Sequence, residues 1–151
     1  MDNIQISKMT ILDLESISNT LLSDFDDFWT ISIFKSELQN PNSKYLVAKL
    51  NNQIVGFGGI WKSPDDIHIT NIVVNKNFRR QNIGTIILSH LINLSKKENI
   101  TSITLEVSST NIPAQKLYEK LGFKKVGLRK KYYNNTNDAI IMTMEVSNEK
   151  K

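Results

Sequence analysis

The chain has 151 residues, a formal net charge of +4, 40% apolar and 23% charged residues, and no cysteine. That length suits one domain with a real core, and the missing cysteines exclude disulfides, a thiol nucleophile and a cysteine-type zinc site. No apolar run approaches the ~20 residues of a membrane span, and Met1 to Gln5 lacks the basic-then-apolar pattern of a signal peptide.

Taken in chain order, Ile4 and Ile6 alternate with polar residues and predict a short first strand. Thr10 can cap a helix, with Ile11, Leu14, Ile17 and Leu21 on its inner face. Ser23 to Asp27 reads as a loop. Thr30 can cap a second helix through Leu38, closed by Asn40-Pro41-Asn42. Tyr45 to Leu50 and Gln53 to Trp61 are strands joined by Asn51-Asn52, a pair that tolerates left-handed dihedrals. Ile67 to Val74 is a fourth strand. Ile83 to about Lys97 is the clearest helix, burying Ile83, Ile86, Ile87, Leu91 and Leu94. Ser102 to Val107 is a fifth strand. Asn111 caps the next helix, Pro113 sits in its first turn, Ala114, Leu117, Tyr118 and Leu121 face inward, and Gly122 stops it. Phe123 to Tyr133 and Ala139 to Val146 are the last two strands. Adjacent strands imply antiparallel pairing, and strand-helix-strand units imply local parallel pairing. The fold class is therefore α+β: a mixed, mostly antiparallel sheet of about seven strands with about four helices on its faces. Residues 1–146 form one domain and 147–151 a polar tail.

The excess charge lies in three clusters: Arg79-Arg80, Lys124-Lys125 and Arg129-Lys130-Lys131. A nucleic-acid binder would carry a larger, continuous stripe, so a small polyanion is the better-matched ligand. The segment Asn75 to Thr85 joins a strand to a helix N-terminus, whose unpaired N–H groups and partial positive charge favour phosphate. Arg79 and Arg80 add charge, and Gly84 permits close backbone approach. A plain solvated loop has the same local features.

Leu105-Glu106-Val107 ends an apolar strand, so Glu106 faces away from its neighbours. A carboxylate there can take a proton from an amine, and a phenol such as Tyr118 can give one to a leaving group. On residues alone, a solvent-facing strand Glu and a packed core Tyr are the commoner readings. His68 and His90 are too isolated to suggest a metal site, and none is expected.

The stretch Arg79-Arg80-Gln81-Asn82-Ile83-Gly84 resembles the cofactor motif of the GNAT acetyltransferase superfamily, with Asn82 where the family pattern has its first Gly. Glu106, Asn111, Ala114 and Leu117 to Phe123 resemble the RimI-like branch of that superfamily, the bacterial ribosomal-protein-alanine N-acetyltransferases. So does the hairpin holding Arg129 to Tyr133 and Asp138 to Met142. The resemblance implies acetyl-CoA as cosubstrate. Its pyrophosphate would rest on the turn from Arg79 and Arg80 through Gln81, Asn82, Ile83, Gly84 and Thr85, and its pantetheine along Ile72, Val73 and Val74. Asn111 would also contact it. A backbone N–H near Val73 or Val74 would polarise the thioester. Glu106 would be the general base, Tyr118 the general acid, and Phe28, Trp29, Tyr132 and Tyr133 would line a peptide groove. The implied activity is acetylation of a protein N-terminal α-amine by a cytoplasmic monomer or weak dimer. Two other readings stay open: acetylation of a small amine or lysine side chain, and a non-catalytic acyl-CoA-binding module.

Overall fold

In the computed structural model, residues 3–20, 31–79, 81–133 and 137–146 are described. The first strand, β1 (Gln5–Lys8), leads through Thr10 into α1 (Ile11–Ile17). Thr10 and Asp13 form a reciprocal capping box, satisfying two helix-end donors. Burial pushes the Asp13 carboxyl up, but hydrogen bonds from the Thr10 N–H, Lys49 and the Thr10 hydroxyl, with the Lys49 charge, outweigh it and leave the pKa below its ordinary value.

The helix ends earlier than the Ile11-to-Leu21 spacing suggests. The hydroxyls of Ser16, Ser18 and Thr20 donate back to the carbonyls of Asp13, Glu15 and Ile17. Such back-bonding competes with the helical ladder. A single 3-10 turn over Ser18–Thr20 follows, and Leu21 lies outside the described residues.

Helix α2 (Ile31–Gln39) precedes three antiparallel strands: β2 (Ser43–Leu50), β3 (Gln53–Lys62) and β4 (Asp66–Val74). Asn51 and Asn52 both take positive φ, 52° and 68°, as the turn requires. Then come α3 (Ile83–Lys96), β5 (Ser102–Ser108), α4 (Ile112–Lys120), β6 (Lys124–Tyr133) and β7 (Asn137–Glu145). Ends differ from the sequence expectation by one to three residues, because ladder partners extend strands into the flanking polar residues.

The seven strands form one sheet in the order β1-β2-β3-β4-β5-β7-β6. All neighbours are antiparallel except β4 and β5. The last strand thus inserts between β5 and β6.

Strand alternation sends side chains to two separate cores. Ala48, Val55, Ile60, Ile103, Leu105 and Met142 join Ile83, Ile87 and Leu91 of α3 on one face. Tyr45, Val47, Ile54 and Phe57 join Leu14 of α1 and Phe34 of α2 on the other. Among the described residues the second face is covered over the N-terminal strands. Over β5 its residues are Ser102, Thr104, Glu106 and Ser108, which alternate with the buried Ile103, Leu105 and Val107. Thr104 also bonds Thr143 on β7.

Candidate active site

The sheet opens in its middle. The parallel contact of β4 with β5 covers only Asp66↔Ser102, Ile67↔Ile103 and His68↔Thr104. Beyond His68 the register of β4 against β3 shifts between Gly59 and Ile60, so that Ile69 faces Ile60 and Asn71 faces Gly59. Thr70 is the extra residue. A bulge bends and twists its strand, and β4 leaves β5 at this point.

Two clefts flank the opening. The larger, about 690 Å³, is lined by Ile72 to Val74, Phe78 and Arg79, the stretch Asn82 to Thr85, Leu88, and Pro113, Ala114, Leu117 and Tyr118 of α4. The smaller, about 390 Å³, is lined by Ile69, Thr70, Ile72, Leu105 to Ser108, Asn111 and Tyr118. Ile72 and Tyr118 belong to both, so they form the wall between the two.

The backbone of β4 is directed by its ladder. Asn75 N–H donates to the Val55 carbonyl at 2.9 Å. In an antiparallel pair the bonded residues alternate. Val73 therefore exchanges its bonds with Phe57, whereas Ile72 and Val74 turn their N–H groups toward the opening. The Val74 carbonyl agrees, since it accepts from Arg79 Nε at 3.2 Å. Of the two N–H groups considered from sequence, the one at Val74 faces the cleft.

The turn before α3 forms with Asn82 in the left-handed region, φ 64° and ψ 16°. Asn tolerates that region better than most residues. No side chain caps α3, and the first helical bond runs from Ile86 N–H to the Asn82 carbonyl. The N–H groups of Ile83, Gly84 and Thr85 are left as donors for an anion. A Cβ on Gly84 would meet Val74 Cγ2 at 3.6 Å and Ile72 Cγ2 at 3.9 Å, so the helix start sits beside the strand. An anion end and an apolar arm fit a pyrophosphate followed by a pantetheine chain. Because Asn82 already holds the dihedral, Asn82→Gly is expected to change acetyl-CoA affinity by no more than about threefold through shape, with Gly also losing backbone entropy. Isothermal calorimetry of both proteins checks this, and a tenfold gain in the Gly variant would show that the Asn side chain crowds the phosphate.

Glu106 lines the smaller cleft. Its Oε2 lies 2.7 Å from Nη2 of Arg129, and its side chain is 24% exposed. Among the described residues Oε1 has no partner. Tyr118 packs its ring against Phe123 at 6.1 Å between centroids. Burial pushes the Tyr118 hydroxyl above its ordinary pKa, so it is a phenol throughout the neutral range.

Not every sequence candidate converges. Gln81 is exposed and lies outside the larger cleft, and Arg80 falls outside the described residues. The Asn111 side-chain oxygen Oδ1 accepts from Ala114 N–H at 3.2 Å, capping α4, and the residue lines the smaller cleft rather than the larger one. Phe28 and Trp29 lie outside the described residues. Tyr132 and Tyr133 are in β6, but their side chains are not among those described.

Two residues escaped the sequence reading. Arg129 reaches Glu106 across β7, a contact between strands far apart in sequence. Gln115 is 4% exposed and donates to the carbonyls of Ser108 and Ser109 at 3.0 and 3.1 Å. It ties α4 to the end of β5, and so ties Tyr118 to Glu106. A glutamine amid the apolar face of a helix was the available signal. Among the described residues no group of three or more His, Cys, Asp or Glu side chains is placed to hold a metal, and no helix is long and apolar enough to cross a membrane.

Residues 14–123 match the acetyltransferase (GNAT) family, and the chain belongs to it. It is 34% identical over 124 residues to the ribosomal protein bS18-alanine N-acetyltransferase of Escherichia coli K12, covering 79% of this chain and 82% of that one. The crystal structure of the ribosomal-protein-S18-alanine N-acetyltransferase from Escherichia coli superposes with a TM-score of 0.86 at 29% identity, over 96% of this chain and 95% of that one. A GNAT acetyltransferase from Elizabethkingia anophelis with acetyl-CoA bound has the same fold, with a TM-score of 0.74 at 24% identity over 97% and 100% of the chains.

Proposed function

We infer that this enzyme transfers the acetyl group of acetyl-CoA to the N-terminal α-amine of a protein in the cytoplasm, an Ala-starting ribosomal protein by analogy with its relatives. The observation that carries the chemistry is the placement of Glu106 and Tyr118 around the point where the two clefts meet.

The larger cleft takes the cosubstrate, with its phosphates on the N–H groups of Ile83 to Thr85 and its pantetheine beside Ile72 and Val74. The acetyl thioester then sits at the bulge. The N–H of Ile72, a residue on the wall shared by both clefts, donates to the carbonyl oxygen and stabilises the oxyanion as the amine attacks. The amine enters from the smaller cleft, where Glu106 Oε1 takes its proton. The C–S bond breaks toward Tyr118, whose hydroxyl donates to the leaving sulfur. With no cysteine to carry an acyl group, transfer is direct within a ternary complex. The family resemblance assigns Phe28, Trp29, Tyr132 and Tyr133 to the peptide substrate.

The test is to incubate the protein with labelled acetyl-CoA and peptides that differ in their first residues, beside free polyamines. Label is expected on the Ala-starting peptide and is expected to vanish when its α-amine is blocked. Label on polyamines alone would overturn the protein-substrate reading.

A further inference from the structure

Gln115 is the one fully buried side chain of α4, whereas its apolar neighbours Ala114, Leu117 and Tyr118 are only partly buried. It lines neither cleft of the site. Partial apolar burial draws α4 onto the sheet but does not fix its place along the sheet, because that attraction has no direction. Hydrogen bonds do have one. The amide nitrogen of Gln115 has two N–H donors, one each for the carbonyls of Ser108 and Ser109 at 3.0 and 3.1 Å.

Those carbonyls belong to a fixed frame. Ser108 pairs with Ala139 in the β5–β7 ladder, and Ser109 N–H donates to the Asp138 carbonyl at 2.9 Å. Glu106 stands two residues earlier on the same frame, paired with Ile141 and bonded to Arg129. Tyr118 lies one helical turn beyond Gln115, on the same side of α4. At its far end α4 closes on the buried Phe123, whose N–H donates to the Tyr118 carbonyl at 2.9 Å. The helix segment carrying Tyr118 is therefore tied to the core behind it and to the end of β5 ahead of it. Gln115 makes the second tie.

We propose that Gln115 is a positioning residue for acetyl transfer: by forking onto the end of β5 it fixes α4 along that strand, and so aims the Tyr118 hydroxyl at the point that Glu106 serves. The inference rests on the acetyl-transfer reading but not on which amine is acetylated. Glu106 keeps its own place through β7 and Arg129, so the loss of this tie falls on Tyr118. A group displaced by about 1 Å from its working position can lose up to about 10²-fold in rate. A glutamine that merely satisfied two carbonyls would change stability and leave kcat alone.

The test compares Gln115→Met with wild type, using whichever amine the panel identifies as the best acceptor. Methionine matches the length and carries no donor. A fall in kcat of about tenfold is expected, because Phe123 still holds the far end of the helix. Acetyl-CoA affinity is expected to stay within about threefold, since the Ile83 to Thr85 donors and β4 are untouched. Gln115→Glu, which keeps the shape and offers only acceptors near neutral pH, is expected to show the same fall. In the Tyr118→Phe background, Gln115→Met is expected to lower kcat by no more than about twofold further, because no hydroxyl is left to aim. Thermal unfolding shows which variants are folded at the assay temperature. Wild-type kcat in either folded variant overturns the proposal. So does a full tenfold further loss in the double variant, or a loss that falls on acetyl-CoA affinity alone. Unfolding of both single variants would overturn it too, by assigning Gln115 to stability. Absence of acetyl transfer by the wild-type protein to any amine would instead overturn the functional reading itself.

Discussion

Replacing Glu106 by Gln is expected to lower kcat by about 10²-fold, the scale of a lost general base. The substitution keeps size and shape. The amide oxygen can still accept from Arg129, which now holds Oε2 at 2.7 Å. The atom left facing the cleft is then an N–H donor, which cannot take a proton. Acetyl-CoA affinity is expected to stay unchanged, because Glu106 borders the smaller cleft and not the larger one. The variant should recover part of its rate between about pH 7 and 9. A peptide α-amine has a pKa of about 7.7–8.0, so raising the pH supplies more amine already neutral. Steady-state kinetics across that range checks both points, and wild-type turnover at neutral pH would remove Glu106 from the role.

The second large effect is expected at Tyr118. Tyr118→Phe keeps the ring against Phe123 and removes only the hydroxyl of a residue that lines both clefts. Its buried phenol has a raised pKa and is a weaker acid than an alkyl thiol, near about 8.5. Full proton transfer to a free thiolate is therefore uphill. The hydroxyl contributes most as a hydrogen bond that strengthens as charge builds on sulfur. Its loss is expected to lower kcat about 10²-fold. The sign of the pH dependence follows from the raised pKa. The donor is present below that pKa and is lost only as pH rises through it, so wild-type kcat should show no loss from Tyr118 below about pH 10. A basic limb near neutrality that vanishes in Tyr118→Phe would contradict this.

Much of this site was legible because its signals are local. The capping oxygen of Asn111, the left-handed Asn82 and the outward Glu106 between Leu105 and Val107 each depend on a few neighbouring residues. The bulge also leaves a trace. Ile67 and Ile69 face one core, and the next residues on that face are Ile72 and Val74, a step of three rather than two. The sequence reading treated the whole stretch as one regular strand, because a phase slip within an apolar run looks like ordinary variation without the partner strand. Gln115 was missed for a related reason: its partners are backbone carbonyls at and just after the end of β5, which no side-chain pattern announces.

By itself the sequence determined the elements and the mixed sheet, and its family resemblance pointed to the turn before α3, Glu106 and Tyr118 as the site to test. The elements follow from hydrophobic period, caps and turn residues, which act over a handful of positions. The tertiary structure decided what those residues face. It inserted β7 between β5 and β6, so that Arg129 comes within reach of Glu106. It ended the β4–β5 contact after three residue pairs, and it placed the Tyr45 hydroxyl on Thr70, 25 residues away. These arrangements arise from strand pairing and side-chain packing between distant segments, whose register is set by mutual fit and not by any local preference.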